Sequence, residues 1–415
     1  MPRPSRKKPG SAATTETEAA APARALPART LHDLTRIIQR APGFGEVVAA
    51  LKNGRSATID GGWGSAAALA AAALALHAPR TLLIVMAHVA DVDDFRDDLA
   101  TFSGLTPEVF PAWDRLPREL QAVDEVFGRR MRALKRLAAD EPTRVVVAPM
   151  QAMLQPVPGP ETLARSSRRL AVGDSAPIEV LAAWLVDRGM VRAEVVEVPG
   201  EFSIRGGIVD VFPADFADPI RIEYFGDEIE SIRPFDVETQ RSLDRFNSIV
   251  ITAPLDVSDR ELAGWMHPAS LLPTDSWVVL LEPDDLRSEG RAYLSRLDDR
   301  RGLSTVEETF ARLIRFPTIA VSTLSAHSHE TTCHLRIESI ERFSGDLARV
   351  KAELESAAAG EDVMIACHNQ AEAERLGEVF ADLELARAGR LHLTLGRIRA
   401  GFHFVDASTL VIIFA

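Results

Sequence analysis

A chain of 415 residues is longer than one hydrophobic core ordinarily fills, so two to four domains are expected. Sixty acidic against 47 basic side chains give a formal net charge of −13 and a pI near 5.3, which excludes a broad basic surface for a nucleic-acid backbone. Two cysteines and the lack of any run of about 18 apolar residues exclude a disulfide framework and a helical membrane span, and point to a reducing, cytoplasmic setting.

Residues 1–30 carry basic side chains but no continuous apolar core, and read as a disordered tail rather than a secretory signal. From 56 to 149 short apolar runs alternate with helical stretches: SATI, GSAAALAAAALALHA, TLLIVM, an acidic helix reaching Phe102, and RVVVAP. That alternation predicts a parallel α/β domain whose first half covers 31–162. Its first strand meets its first helix through GGWGSAAA (61–68), where a nucleotide-binding domain places its phosphate loop. A working loop needs G-x-x-x-x-G-K-[ST], the lysine to neutralise phosphate charge and the hydroxyl to hold Mg²⁺. Ala66, Ala67 and Ala68 stand in the last three positions. Gly61, Gly64, Ser65, Ala67 and Ala68 therefore read as a degenerate loop with no nucleotide cofactor. The amides near Gly64 and Ser65 leave open a weak anion site against plain packing. WVVLLEPDDL (277–286) has the apolar strand and acids of a Mg²⁺-binding strand end, but cannot restore hydrolysis without the lysine.

FPAWDRLPREL (110–120) is flanked by proline and irregular, with Trp113 expected in the core; an amphipathic helix follows, bearing Val126, Met131, Leu134 and Leu137. Prolines in QPVPGPE (155–161) mark a boundary. A small β domain is expected over 163–245. Between 194 and 233 the period falls to two, and AEVVEV, EFSIR, IVDVF, IRIEYF and EIESIR read as an antiparallel meander. Gly206 and Gly207 supply one tight turn, Gly226 and Asp227 another, and residues 213–219 a longer connection.

Alternate residues of a strand share a face, so Ile220, Ile222 and Tyr224 form an apolar side of IRIEYF and Arg221, Glu223 and Phe225 the other. Arg205 can add a second guanidinium nearby. An aromatic ring among arginines on one sheet face is the composition of a protein interface. Against this stands the alternative that Phe225 packs under another domain and the arginines pair internally with Glu223, Asp227 or Glu228. Periodicity alone leaves both open.

Residues 246–342 return to α/β character through IVITAP, WVVLLEP and a helix near 289–297, and read as the second half of the first domain, so that the β domain is an insertion. Over 343–415 a helix (345–358), VMIAC, a helix through AEAERLGEVFADLEL, LHLTL and TLVII predict a further small α/β domain, which an apolar strand running straight to the last residues suggests is incomplete. Cys333 and Cys367 each precede a histidine, His334 and His368, but without metal-ligand clustering no metal is expected.

The segment from 196 to 242, with GEFSIRGGIVDVFP, IRIEYFGDEIESIR and FDVETQRS in order, resembles the UvrA-interaction domain shared by UvrB and transcription-repair coupling factors. FPAWDRLPREL, VVVAPMQAMLQPVP and LGRIRAGF are similar to the coupling factors outside that domain, and the likeness runs from about 31 to the end. The alanines of the loop and a total of two tyrosines, Tyr224 and Tyr293, set the chain apart from UvrB, which keeps a working loop and an aromatic-rich hairpin.

The resemblance implies a degenerate, UvrB-like P-loop NTPase fold with an inserted small antiparallel β domain, then a further small α/β domain. It also implies that Arg205, Arg221 and Phe225 contact UvrA in transcription-coupled nucleotide excision repair. The segment itself would not be an enzyme; ATP, Mg²⁺, RNA polymerase and DNA would engage later domains of an ATP-dependent translocase that displaces stalled polymerase. The family masks the UvrA surface with its C-terminal domain, so a chain without it is expected to bind UvrA constitutively. The competing reading is a UvrB-like, ATP-dependent damaged-DNA-binding subunit of the excision nuclease.

Overall fold

The computed structural model describes residues 29–113, 125–253, 264–323, 331–340, 347–357 and 360–413. Residues 1–28 of the predicted tail and 114–120 of the proline-flanked stretch lie outside the described residues.

The first body is built on seven parallel strands in the spatial order Thr332–His334, Ala57–Asp60, Thr318–Ser322, Trp277–Leu281, Leu82–Met86, Val145–Pro149, Glu108–Val109. Strands from both sides of the β domain in sequence thus share one sheet. Strands Trp277–Leu281, Leu82–Met86 and Val145–Pro149 are apolar at every position because both faces are covered, and alternate residues divide between two cores. Leu82, Ile84, Val145, Val147 and Val279 face the layer holding helices Phe44–Lys52, Ser65–Ala75 and Val92–Ser103. Leu83, Val85, Val146, Ala148 and Val278 face helices Glu125–Leu137, Pro283–Ser295 and Val306–Leu313. Helix Ser65–Ala75, SAAALAAAALA, is buried along its whole length, as a helix without a polar face must be.

The small β domain leaves and returns through a two-stranded ribbon, Ser167–Ala171 antiparallel to Ser248–Thr252. Its sheet runs in the order Glu228–Pro234, Ile220–Phe225, Ile208–Val211, Glu201–Arg205, Val191–Arg192, with the first four antiparallel in sequence and the last a short parallel edge. Phe202, Val209, Val211, Ile220, Ile222 and Tyr224 line the inner face against Leu181 and Leu185 of helix Ile178–Asp187. Burial pushes the Tyr224 hydroxyl up to about 12.

AEVVEV, expected to be a strand, is not one. The Glu201 carboxylate accepts from the amides of Glu197 (2.9 Å) and Val198 (3.2 Å), and the Ser203 hydroxyl donates to the Glu194 carbonyl at 3.0 Å. Side chains have taken backbone groups that a ladder would need. In EIESIR, Ile229 and Ile232 both face the core although three residues apart. A bulge between the Glu223 and Tyr224 rungs reconciles them: Glu223 pairs with Ser231 but Tyr224 with Ile229.

The 213–219 connection docks the insert on the first body. The Lys135 ammonium pairs with the buried Asp215 carboxylate, and Arg132 Nε donates to the Asp215 carbonyl at 3.1 Å. Gly128 permits this approach, for a Cβ there would stand 1.7 Å from the Ala214 carbonyl oxygen.

The C-terminal sheet runs Ile337–Ser339, Phe402–Phe404, Thr409–Ile413, Asp362–Cys367, Leu391–Leu395. One face packs on the helix layer of the first body, with the Phe102 and Phe402 ring centroids 6.3 Å apart. Among the described residues no helix is long and apolar enough to cross a membrane.

Gly128→Ala is expected to cost about 3 kcal/mol, because neither backbone can retreat from an overpacked contact. Chemical denaturation and limited proteolysis across the 163–253 insert read the effect, and an unchanged midpoint and cleavage pattern would count against the docking role of this glycine.

Candidate functional site

The outward face of the small sheet follows from register. Ser203, Asp210, Arg221 and Arg233 stand on one rung, and Arg205, Ile208, Glu223 and Ser231 on the next. The tight turn at Gly206, with φ +58°, fixes that alignment. At the centre lies Asp210, its side chain only 2% exposed. It accepts from Arg221 Nε at 2.7 Å and Nη2 at 2.9 Å, and from Arg205 Nη2 at 3.0 Å. Arg221 also donates to Gln240 Oε1 at 3.2 Å and stacks over the buried Phe235 ring at 4.4 Å. The Asp210 hydrogen bond is the largest cause holding the Arg221 guanidinium above its ordinary pKa. From the same rung Arg233 reaches across to pair with Glu223 on the next, which also accepts from the Ser231 hydroxyl at 2.6 Å.

Beyond both rungs, the ring of Phe225 is 81% exposed, so it is not packed under another domain. The arginines do pair internally, but with Asp210 rather than Glu223, Asp227 or Glu228, the partners considered from sequence. The structure therefore brings Arg205 and Phe225 to an open face and sets Arg221 deeper, 17% exposed against 53% for Arg205. Sequence reading missed Asp210, Gln240 and the half-buried Ile208. The signal for Asp210 was present, since the Gly206 and Gly207 hairpin places it on the same face as Arg205.

The glycine-rich turn at 61–68, read from sequence as a degenerate phosphate loop, is arranged differently. The amides of Gly61 and Gly62 both donate to the Ser322 carbonyl, at 2.9 and 3.2 Å, and those of Ala66 and Ala67 close turns on Trp63 and Gly64. Gly61, with φ +82°, admits the backbone of Leu335, whose carbonyl oxygen a Cβ would meet at 2.1 Å. The Ser65 hydroxyl donates to Asp98 and accepts from the amide of Ala400 at 2.9 Å. Ala67 and Gly64 line a cavity of about 220 Å³ shared with Asp91, Asp98, Glu282 and Asp285. The Glu282 carboxylate is held by the Thr323 amide and hydroxyl at 2.6 and 2.5 Å. Four carboxylates, set against His88 and an Arg399 guanidinium already bonded to Asp91 and with no lysine among them, are a poor match for the charge of a nucleoside triphosphate. Ala68 is fully buried in the helix.

Asp98 also accepts from the Arg399 amide at 2.7 Å, and Arg399 Nη1 reaches Asp91 at 2.8 Å, so LGRIRAGF joins the C-terminal unit to this loop. Burial lifts the Asp98 carboxyl to about 6, against the lowering effects of Ser65 and Arg399. The folded chain then holds a proton that the unfolded chain has released, and its stability falls as pH rises from about 4 through 6. Asp98→Asn should remove that slope, about 2–3 kcal/mol across the window. Urea midpoints from pH 4 to 7 test this, and equal slopes in both proteins would refute it.

Residues 169–254 match the UvrB interaction domain. The transcription-repair-coupling factor of Mycobacterium tuberculosis (strain CDC 1551 / Oshkosh) is 37% identical over 186 residues, 43% of this chain and 15% of that one. That of Bacillus subtilis (strain 168) is 30% identical over 224 residues, 53% of this chain and 19% of that one. That of Staphylococcus aureus (strain NCTC 8325 / PS 47) is 34% identical over 177 residues, 42% of this chain and 15% of that one. The chain spans less than a fifth of the length of these curated relatives. Among solved structures, a GtfA/B complex covers 76% of this chain and 71% of its own at 10% identity, with a TM-score of 0.11 that is too low to bear on the fold. The chain carries a UvrB interaction domain and is consistent with an N-terminal region of a transcription-repair-coupling factor.

Proposed function

We propose that this chain recruits UvrA through the outward face of its small sheet, as the non-catalytic docking part of a transcription-repair coupling factor in nucleotide excision repair. The observation that carries the reading is an aromatic ring 81% exposed on the same sheet face as a half-exposed arginine, inside the segment that matches the UvrB interaction domain. A phenyl ring this exposed gains little for the isolated fold, whereas covering it on association is worth about 2 kcal/mol. The free donors of Arg205 suit a carboxylate on the partner.

Enzymatic work belongs elsewhere in this reading. The loop has Ala67 where an ammonium would be needed, and the carboxylates around it oppose a polyphosphate, so the segment uses no nucleotide cofactor. In a full-length coupling factor, ATP-driven translocation on DNA and contact with RNA polymerase would fall to other domains, and this face would pass the cleared site to UvrA. A UvrB-like, ATP-dependent damage-binding subunit would require the nucleotide site that these residues do not form.

Calorimetry against purified UvrA should give saturable association, and Phe225→Ala should weaken it roughly tenfold or more with an unchanged melting temperature. Failure of the unaltered chain to associate, or full affinity in the variant, would count against the docking face. Titration with MgATP should give no saturable binding, and a micromolar site would overturn the nucleotide-free reading.

A further inference from the structure

We infer that Asp210 is the positioning residue of the docking face: without touching the partner, it holds Arg205 as the guanidinium that meets a partner carboxylate and Arg221 as the frame. This rests on the docking reading above and divides roles that the sequence assigned equally to the two arginines. At 2% exposure the Asp210 side chain cannot reach a partner. Its oxygens are instead filled from within, by two donors of Arg221 and one of Arg205.

The two arginines are held unequally. Arg221 makes the forked contact, reaches Gln240 Oε1 and lies over the Phe235 ring, which leaves it 17% exposed. Arg205 touches Asp210 through Nη2 alone, and its remaining donors have no partner among the described residues. One carboxylate between two guanidinia leaves a single positive charge, and the exposed member of the set is Arg205. A long side chain already pinned at one nitrogen loses less rotamer freedom when its other nitrogens engage a partner. Without the carboxylate the two guanidinia would repel one another and Arg205 would swing free.

The whole chain and the variants D210N, R205A, R205K and D210N/R205A are titrated calorimetrically into purified UvrA, with a thermal melt of each. D210N and R205A should each weaken association about tenfold, yet D210N should add less than about twofold in the R205A background. That non-additivity would not arise from a merely structural role. Lysine keeps the charge but, as a point donor, cannot hold Asp210 and a partner in one plane, so R205K should lie within about twofold of R205A. This arm decides the matter should D210N not fold. With wild-type association intact, the inference is overturned by D210N binding like wild type, by additive losses, or by R205K binding like wild type. Loss of wild-type association overturns the docking reading instead, and the role of Asp210 with it.

Discussion

A carboxylate withdrawn from water is tolerated only where charge and hydrogen bonds replace its hydration, and Asp210 meets that demand with two guanidinium groups from neighbouring strands. Most of the outward face depends on this arrangement. A slip of one residue in the Ile208–Val211 strand would carry Asp210 into the core and turn Val209 and Val211 outward. The register is held by a tight turn at Gly206 and by the row of inward side chains. From it follow the cross-strand position of Arg221, the tether on Arg205 and the open ground between them and Phe225.

The α/β body uses comparable groups for a different end. A glycine-rich turn leading into a helix presents backbone amides that could cradle an anion. Here the amides of Gly61 and Gly62 close on the Ser322 carbonyl and those of Ala66 and Ala67 on the turn itself, and the serine hydroxyl bonds to Asp98 and to the Ala400 amide. The turn is also part of the junction between the first body and the C-terminal unit. Asp98 is buried at that junction, where loss of water raises its carboxyl and bonds from Ser65 and Arg399 partly offset the rise.

Much of this was legible in the chain because it is local. Apolar runs, turn glycines and the alanines of the loop each declare themselves within a few residues, and alternation in IRIEYF placed Tyr224 inside and Phe225 outside. What escaped depends on residues distant in sequence. Asp210 was passed over in favour of acids nearer to Arg221 and the second turn, since only the cross-strand register sets it opposite that arginine. The three-residue spacing of Ile229 and Ile232 announces a bulge, but only once both are known to be buried. AEVVEV has strand composition, and lost its ladder to Glu201 and Ser203. Thr332–His334 and Phe402–Phe404 are too short for periodicity to register. Gly128 gives no local sign of the loop that rests on it.

The ribbon that joins the small domain to its host has a further meaning. Ser167 lies opposite Thr252, so the inserted segment begins and ends at adjacent points, and the host is interrupted by little more than the width of a strand pair. Closing so narrow a gap adds little entropy cost to either part, and each keeps its own interior. The bounds of the matched interaction domain, 169 and 254, fall on these same two strands or just past them. A unit with paired ends can be carried from one scaffold to another as a cassette, because neither core has to be rebuilt to receive it.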